Sequence, residues 1–370
     1  MITDDGKQII AKFMLGQAPA FASHIAAGVG PQPLLTGASA SIPVTKQSLD
    51  FEVFRVPILS KGFIKEDGVE KLVFKAEMPN DQRYKISEIG LYPGLNNTVA
   101  GRYDSKLLLT FSPAEAWTYV DGTSASTVPY PNIPVDQGNN SASIDASTGQ
   151  FLFINSDSTI FNNESRQNRQ EPPRYLNRSL LVSGSSSFLN GSFAVASGSK
   201  YLENSAVSID LSQNLPDDEI KLAFSVVSRI AENGSAPTNT RIILKFMNNL
   251  SNSQVTPPSA TVKIDIPGAS LSSNRYQIVT KKISEFVTDE NFSWANINLI
   301  RIYASTVVSG SPSDSYFVLF DGLRIDNITS INPLYSLVGY NIISTNDGLP
   351  ILKSENTNNY IEYRFGIGVS

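Results

Sequence analysis

The sequence predicts a mainly β protein: a small N-terminal α+β domain with one helix, followed by a β-sandwich of jelly-roll type. Three observations carry that prediction. Only residues 1–16 place apolar side chains at helical spacing. Between residues 151 and 330, short runs alternate apolar and polar side chains, with no helical stretch between them. The 370 residues, 41% of them hydrophobic and 9% aromatic, suffice for two or three cores at roughly 150 residues per domain.

The helix is the best-signalled element. Thr3 can cap it, and Asp4 and Asp5 place negative charge in its first turn, where the helix dipole favours it. Ile9, Ile10, Phe13 and Met14 recur at spacings of three and four, and Gly16 can stop the helix. Residues 21–35 read as a short strand and a turn at Gly28-Val29-Gly30-Pro31. The period then changes to two. Glu52, Phe54, Val56 and Ile58 begin a strand, Asp67-Gly68 is a hairpin turn, and Leu72, Phe74, Ala76 and Met78 share a face of the return strand. Tyr84–Tyr92 and Lys106–Phe111 make a third and a fourth strand.

Residues 1–120 therefore form one domain. Residues 121–150, rich in Ser, Asn, Thr, Pro and Gly, read as a linker. Residues 151–330 hold the sandwich, with strands at Glu219–Ile230, Arg241–Met247, Thr261–Ile266, Arg275–Ile283, Ile297–Tyr303 and Tyr316–Ile325. Asn233-Gly234 and Ser311-Pro312 read as turns between them, and eight strands in two sheets is the expected count. Residues 331–370 carry two or three more strands but too little chain for a core of their own. They are expected to return to the N-terminal domain or to join a neighbouring subunit.

Composition excludes several classes of function. The net charge of −5 speaks against a nucleic-acid binder, which needs a basic stripe to displace counterions. With no cysteine there are no disulfides, thiol nucleophiles or Cys-based zinc sites, and the single histidine rules out a His-rich metal site. No apolar run is long enough to span a membrane, so no membrane insertion is expected. The acidic N-terminus lacks the pattern of a signal peptide. The chain is therefore expected to be made and kept in a cytosol, or to leave it only inside a larger particle.

Few side chains point to chemistry. His24 would need a serine on a strained elbow to build a triad, and no Gly-x-Ser-x-Gly precedes a helix; a surface or subunit contact is the plainer role. Glu88, mid-strand, has no paired carboxylate, and reads as structural, accepting backbone N–H bonds or pairing with Arg55. Asp321-Gly322 lacks an Asp-x-Asp-x-Asp loop and reads as a strand-end turn rather than a calcium site. Trp117, Tyr119, Tyr130, Trp294 and Tyr303 are candidates for sugar-stacking or interface rings. Arg174 and Arg178, with Arg166 and Arg169, could grip carboxylates of a neighbour. No catalytic, cofactor-binding or metal-ligating set is assigned, no cofactor is implied, and an enzyme is not expected.

The N-terminal residues carry a resemblance. Ile2-Thr3-Asp4-Asp5-Gly6 through Lys12, Leu15-Gly16, and His24-Ile25-Ala26-Ala27-Gly28-Val29-Gly30 resemble the opening of tail-collar fibre proteins of contractile-tailed phages. Phe54-Arg55-Val56-Pro57-Ile58 and Glu88-Ile89-Gly90-Leu91-Tyr92 are similar to two further strands of that family, and the stretch also resembles structural proteins of large cyanobacterial myophages. The resemblance covers about 110 residues, and no fibre-shaft repeat follows residue 120. It implies a virion protein of the tail or baseplate, an adaptor or collar subunit joining fibres to the tail and assembled in a host cytoplasm. Its partners would be other tail, baseplate or fibre proteins, and its oligomer a homotrimer. The sandwich is similar in strand pattern to carbohydrate-binding-module jelly rolls, with Phe317–Ile325 resembling their last strand. That resemblance implies the alternative, an adhesin whose sandwich binds a host glycan.

Overall fold

The computed structural model describes residues 1–30, 43–80, 84–94, 106–109, 117–120, 127–129, 153–155, 178–183, 188–189, 192–193, 201–228, 239–249, 256–268, 276–308, 311–312, 316–327, 333–342, 351–353 and 357–366. The protein is mainly β, with one α-helix among the described residues. It divides into two units. The first comprises Met1–Leu107 and Arg324–Ser370, and the second Leu108–Leu323. The chain thus leaves the first unit to build the second and then returns.

In the first unit the helix α1 spans Asp4–Met14. Thr3 caps it by accepting from the Gly6 amide at 2.9 Å, and its own hydroxyl donates to the Leu337 carbonyl. Thr3 is fully buried, so one side chain both starts the helix and ties it to the returning chain. Thr3→Ala is expected to cost about 1–2 kcal/mol, the upper range for a cap, read from chemical denaturation. Only part of the helical stripe is covered: Ile9 is buried, whereas Phe13, Met14 and Leu15 are exposed.

The strands β1 (His24–Gly28), β2 (Glu52–Glu66), β3 (Val69–Glu77), β4 (Tyr84–Ile86) and β5 (Glu88–Tyr92) follow. Asp67 and Gly68, with φ of 55° and 81°, close the β2–β3 hairpin in the left-handed region its tight turn demands. The stretch expected as one strand over Tyr84–Tyr92 is broken at Ser87. Its hydroxyl donates to the Gly30 carbonyl at 3.0 Å and its amide to the Gly28 carbonyl at 2.9 Å, which diverts the backbone from one ladder to the next.

Three strands of the returning chain complete this unit. Gly339–Ile342 lies antiparallel to β5, Ile351–Lys353 to β4, and Tyr360–Gly366 to β3. The main sheet therefore runs from Gly339–Ile342 through β5, β1, β2 and β3 to Tyr360–Gly366. Ala26, Leu49, Tyr92, Leu337 and Tyr340 form a buried cluster against it. Burial of such side chains stabilises at roughly 25 cal/mol per Å² of apolar surface.

The second unit is a β-sandwich. One sheet has six strands, in the order Tyr276–Lys282, Glu219–Ser228, Tyr316–Asp326, Arg178–Ser183 and Phe153–Asn155, with Lys106–Leu109 added on Tyr316–Asp326. The other has eight, running Val287–Thr288, Ser259–Pro267, Asn239–Met247, Leu299–Val308, Tyr201–Asn204, Trp117–Val120 and Thr127–Pro129, with Ser311–Pro312 on Leu299–Val308. Alternation sets the faces. Ile242, Leu244 and Phe246, with Ile300 and Ile302, are almost fully buried, as are Ile220, Leu222 and Phe224 of the six-stranded sheet.

Several expectations change here. Eight strands undercount the two sheets. Thr127–Pro129, within the segment expected to be a linker, is a strand paired with Trp117–Val120. Ser311-Pro312 is not a turn but pairs with Val307 and Val308. Asp321-Gly322 lies inside the Tyr316–Asp326 strand rather than at its end. Residues 130–150 and the expected turn at Asn233-Gly234 lie outside the described residues.

Candidate functional site: the outer face of the eight-stranded sheet

The chemistry-bearing positions of the sandwich gather on the face opposite its core. Antiparallel register sets them in rows across the sheet. Ile243 stands opposite both Lys263 and Tyr303, and Leu202 opposite Ile302 brings Tyr201 beside Tyr303. The next row joins Thr261, Lys245, Arg301 and Glu203, and a third joins Asp265 to Arg241.

Tyr201 and Tyr303 have ring centroids 4.9 Å apart with planes tilted by 45°, a favourable offset for two rings. Tyr303 is 5% exposed and packs on Ile243, while Tyr201 is only partly buried. The accessible ring of the pair is therefore Tyr201. Arg301 lies over the Tyr201 ring at 4.8 Å, and its Nε donates to Glu203 Oε2 at 2.6 Å. Arg241 donates through Nε and Nη2 to the two carboxylate oxygens of Asp265. Lys245 Nζ sits 5.7 Å from the Tyr303 ring.

The electrostatics follow from burial and pairing. Burial lifts both tyrosine hydroxyls above their ordinary range, with Arg301 opposing. Burial alone would lower Arg301, but its bond and attraction to Glu203 hold it above the usual guanidinium value. Burial and then the positive charge of Arg301 lower Lys245, Asp289 attracts it, and Lys263 repels it. The face thus carries fixed rings, hydrogen-bonding groups of both signs and a cation under strain from its neighbours.

The other sequence candidates separate. Trp294 lies in an aromatic cluster with Phe246, Phe286 and Phe292, meeting all three edge-on at 5.0–6.1 Å. It packs the sandwich rather than standing free as a platform. Trp117 and Tyr119 occupy the strand beside Tyr201–Asn204, opposite Asn204 and Leu202. Arg178 begins a strand opposite Asn155, while Arg174 and Tyr130 lie outside the described residues. Tyr201, Lys245, Arg301 and Glu203 were not singled out in the sequence. Period-two alternation could have flagged Lys245 and Arg301 as outward, but not Tyr201, whose partner is remote in the chain.

In the first unit the two candidate catalytic groups are structural. Ser23 Oγ donates to the Pro93 carbonyl at 2.6 Å, so the 2.8 Å contact with His24 Nδ1 makes the imidazole the donor. A histidine that donates to a serine cannot take its proton. Burial and then Arg55 lower the His24 pKa, with Glu52 opposing.

Glu88 is fully buried. Its Oε1 accepts from the amides of Gly30 and Phe51, at 3.0 and 2.8 Å, and its Oε2 from the Asp50 amide and the Tyr340 hydroxyl, both at 2.9 Å. Arg55 is not its partner. It pairs instead with Glu52, through Nε at 3.0 Å and Nη2 at 2.7 Å, because the two lie near one another on β2. Glu88 also explains Gly30, where a Cβ would stand 2.2 Å from Asp50 Cβ and 2.8 Å from Glu88 Oε1. Gly30→Ala is expected to lower stability by about 1–3 kcal/mol, the range for overpacking, measured by thermal or urea unfolding.

No group of His, Cys, Asp and Glu among the described residues could hold a metal ion. No helix among them is long and apolar enough to cross a membrane. No protein-family model and no curated protein matches the sequence. Solved structures with similarity include a family 30 carbohydrate-binding module at 12% identity, covering 41% of this chain and 77% of that one, with a TM-score of 0.26. A family 11 carbohydrate-binding module from Clostridium thermocellum, solved with a β-1,3-1,4-mixed-linked tetrasaccharide, is 12% identical; it covers 41% and 76%, with a TM-score of 0.23. SGBP-B from a xyloglucan utilization locus in Bacteroides uniformis is 14% identical and covers 83% and 92%, with a TM-score of 0.27. At those TM-scores they are likenesses in strand arrangement and carry no functional argument.

Proposed function

We propose that the sandwich unit binds a saccharide on the outer face of its eight-stranded sheet. The observation that carries this reading is the Tyr201–Tyr303 ring pair, flanked by the partly exposed Arg301–Glu203 pair, on the face of the sheet away from Ile242, Leu244 and Phe246. An aromatic face packs on the apolar face of a pyranose ring, and a guanidinium and a carboxylate can exchange hydrogen bonds with its hydroxyls. The sheet holds these groups in place, so little ordering cost attends binding. The test is binding of an oligosaccharide panel to the full chain, followed by calorimetry on each hit. Tyr201→Ala is expected to weaken the best hit by at least about tenfold. A panel with no hit overturns the reading.

For the first unit we infer an attachment role within a larger assembly, in line with the tail-collar resemblance. The specific support is the apolar end of α1, where Phe13, Met14 and Leu15 are exposed in a chain that buries Ile9 of the same stripe. A virion adaptor that docks by this unit and binds a saccharide by the sandwich combines both readings. Native mass measurement of the purified chain and its stoichiometry in a particle test the attachment. A monomer that accompanies no particle removes it.

A further inference from the structure

Resting on the saccharide reading, we infer that the sugar taken by this face is acidic, with a carboxylate that meets Lys245 and Lys263. The argument is one of charge and pairing. The face carries four cations, Arg241, Lys245, Lys263 and Arg301, and two carboxylates, Glu203 and Asp265, with a third, Asp289, held by Ser259 at the sheet edge and attracting Lys245. Glu203 is engaged by Arg301 and Asp265 by Arg241. Among the described residues no carboxylate forms an ion pair with Lys245 or Lys263. The face is therefore net positive on a chain whose net charge is −5.

The placement makes that charge specific. Lys245 is partly buried over the Tyr303 ring, next to Arg301 in its row. Lys263 stands opposite Ile243, in the row of the two tyrosines. By ordinary strand spacing, two strands across and one two-residue step along, Lys245 is roughly 12 Å from Tyr201. An oligosaccharide with one ring over Tyr201 can thus bring a hexuronate carboxylate on a neighbouring ring to the lysines. A neutral sugar would satisfy the ring and the Arg301–Glu203 pair but leave a partly desolvated ammonium with only the through-space attraction of Asp289 and no direct ion pair. A carboxylate there forms charge-assisted hydrogen bonds, which are stronger than neutral ones.

The experiment compares oligogalacturonate with the same oligomer methyl-esterified, which keeps the sugar and removes the charge. Calorimetry on the full chain at low salt is expected to show the acid form binding about tenfold more tightly. Added salt is expected to narrow the gap, since part of the attraction is screened. Lys245→Met is expected to bring the two affinities together, and Lys263→Ala, at an exposed position, to do so in part without disturbing the fold. Equal binding of the two forms by the native chain overturns the acidic-sugar inference and leaves the saccharide reading standing. Dextran sulfate binding as tightly as oligogalacturonate also overturns it, since the face would then be taking any polyanion. Failure of every saccharide, neutral or acidic, removes both.

Discussion

Glu88→Ala is expected to destabilise the first unit by about 3–5 kcal/mol, a large share of the 5–15 kcal/mol by which a domain is usually stable. The substitution leaves the amides of Gly30, Asp50 and Phe51 and the Tyr340 hydroxyl without their acceptor, inside a largely buried site. Each orphaned buried donor costs about 1–3 kcal/mol, partly offset because a buried charge is removed as well. Glu88→Gln is the gentler change. Its oxygen can keep Gly30 and Phe51, but its amide then faces the Asp50 N–H donor to donor, and a loss of about 1–3 kcal/mol is expected. Urea unfolding followed by tryptophan-independent far-UV circular dichroism reads both. A Glu88→Ala chain as stable as the native one would show that the network does not hold the unit together.

The same residue sets a pH dependence of known sign. Burial, and then the negative charge of Asp50, raise the Glu88 pKa above the ordinary carboxylate range, against the backbone amides and Lys46. Folded Glu88 therefore keeps its proton at pH values where the unfolded chain has lost it. Its contribution to stability is full below the ordinary carboxylate pKa and declines as pH rises through the folded one. Subtracting the Glu88→Gln curve from the native curve isolates the effect, and the difference is expected to fall from acidic towards neutral pH. A difference that rises over that range would refute the assignment.

Arg55→Met is the second large effect, at about 3–5 kcal/mol. The guanidinium holds both oxygens of Glu52, donates to the Gly94 carbonyl at 3.3 Å, and lies 3.6 Å over the Tyr92 ring. Burial would lower its pKa, but Glu52, Tyr92 and Asp326 keep it charged. Methionine can fill much of the space on Tyr92, yet it leaves Glu52 buried without its partner. The outcome that distinguishes charge from packing is the pair Arg55→Met and Arg55→Met/Glu52→Gln. The double variant is expected to recover part of the loss, because it removes the stranded carboxylate. No recovery would assign the effect to packing alone.

Local physics was legible along the chain. Thr3, the acidic first turn and the three-and-four spacing marked α1 to within three residues of its ends. Asp67-Gly68 marked the β2–β3 turn, because only residues tolerant of positive φ fit it. Alternation at Val262, Ile264 and Ile266 distinguished the inward from the outward side of a strand. Glu88 was legible as a structural carboxylate but not in its partners, since three of them are backbone amides whose position no side chain advertises.

The candidate site was legible only in fragments. Trp294 is the most conspicuous ring in a polar stretch of the sandwich, yet three phenylalanines surround it, and two of them belong to other segments. Tyr303 drew notice as an aromatic in an alternating strand, but its neighbour Tyr201 comes 102 residues earlier and reaches it only through register between two strands. The sequence by itself determined the helix, the hairpin, the β-rich character and the absence of thiol chemistry, because each depends on neighbours in the chain or on composition. Tertiary structure alone decided that the returning chain pairs with β3, β4 and β5, that Arg55 takes Glu52, and that Tyr201, Tyr303, Arg301 and Lys245 share one face. Those outcomes depend on which strands lie side by side, and register is set by the whole buried surface of a sheet rather than by any short run of residues.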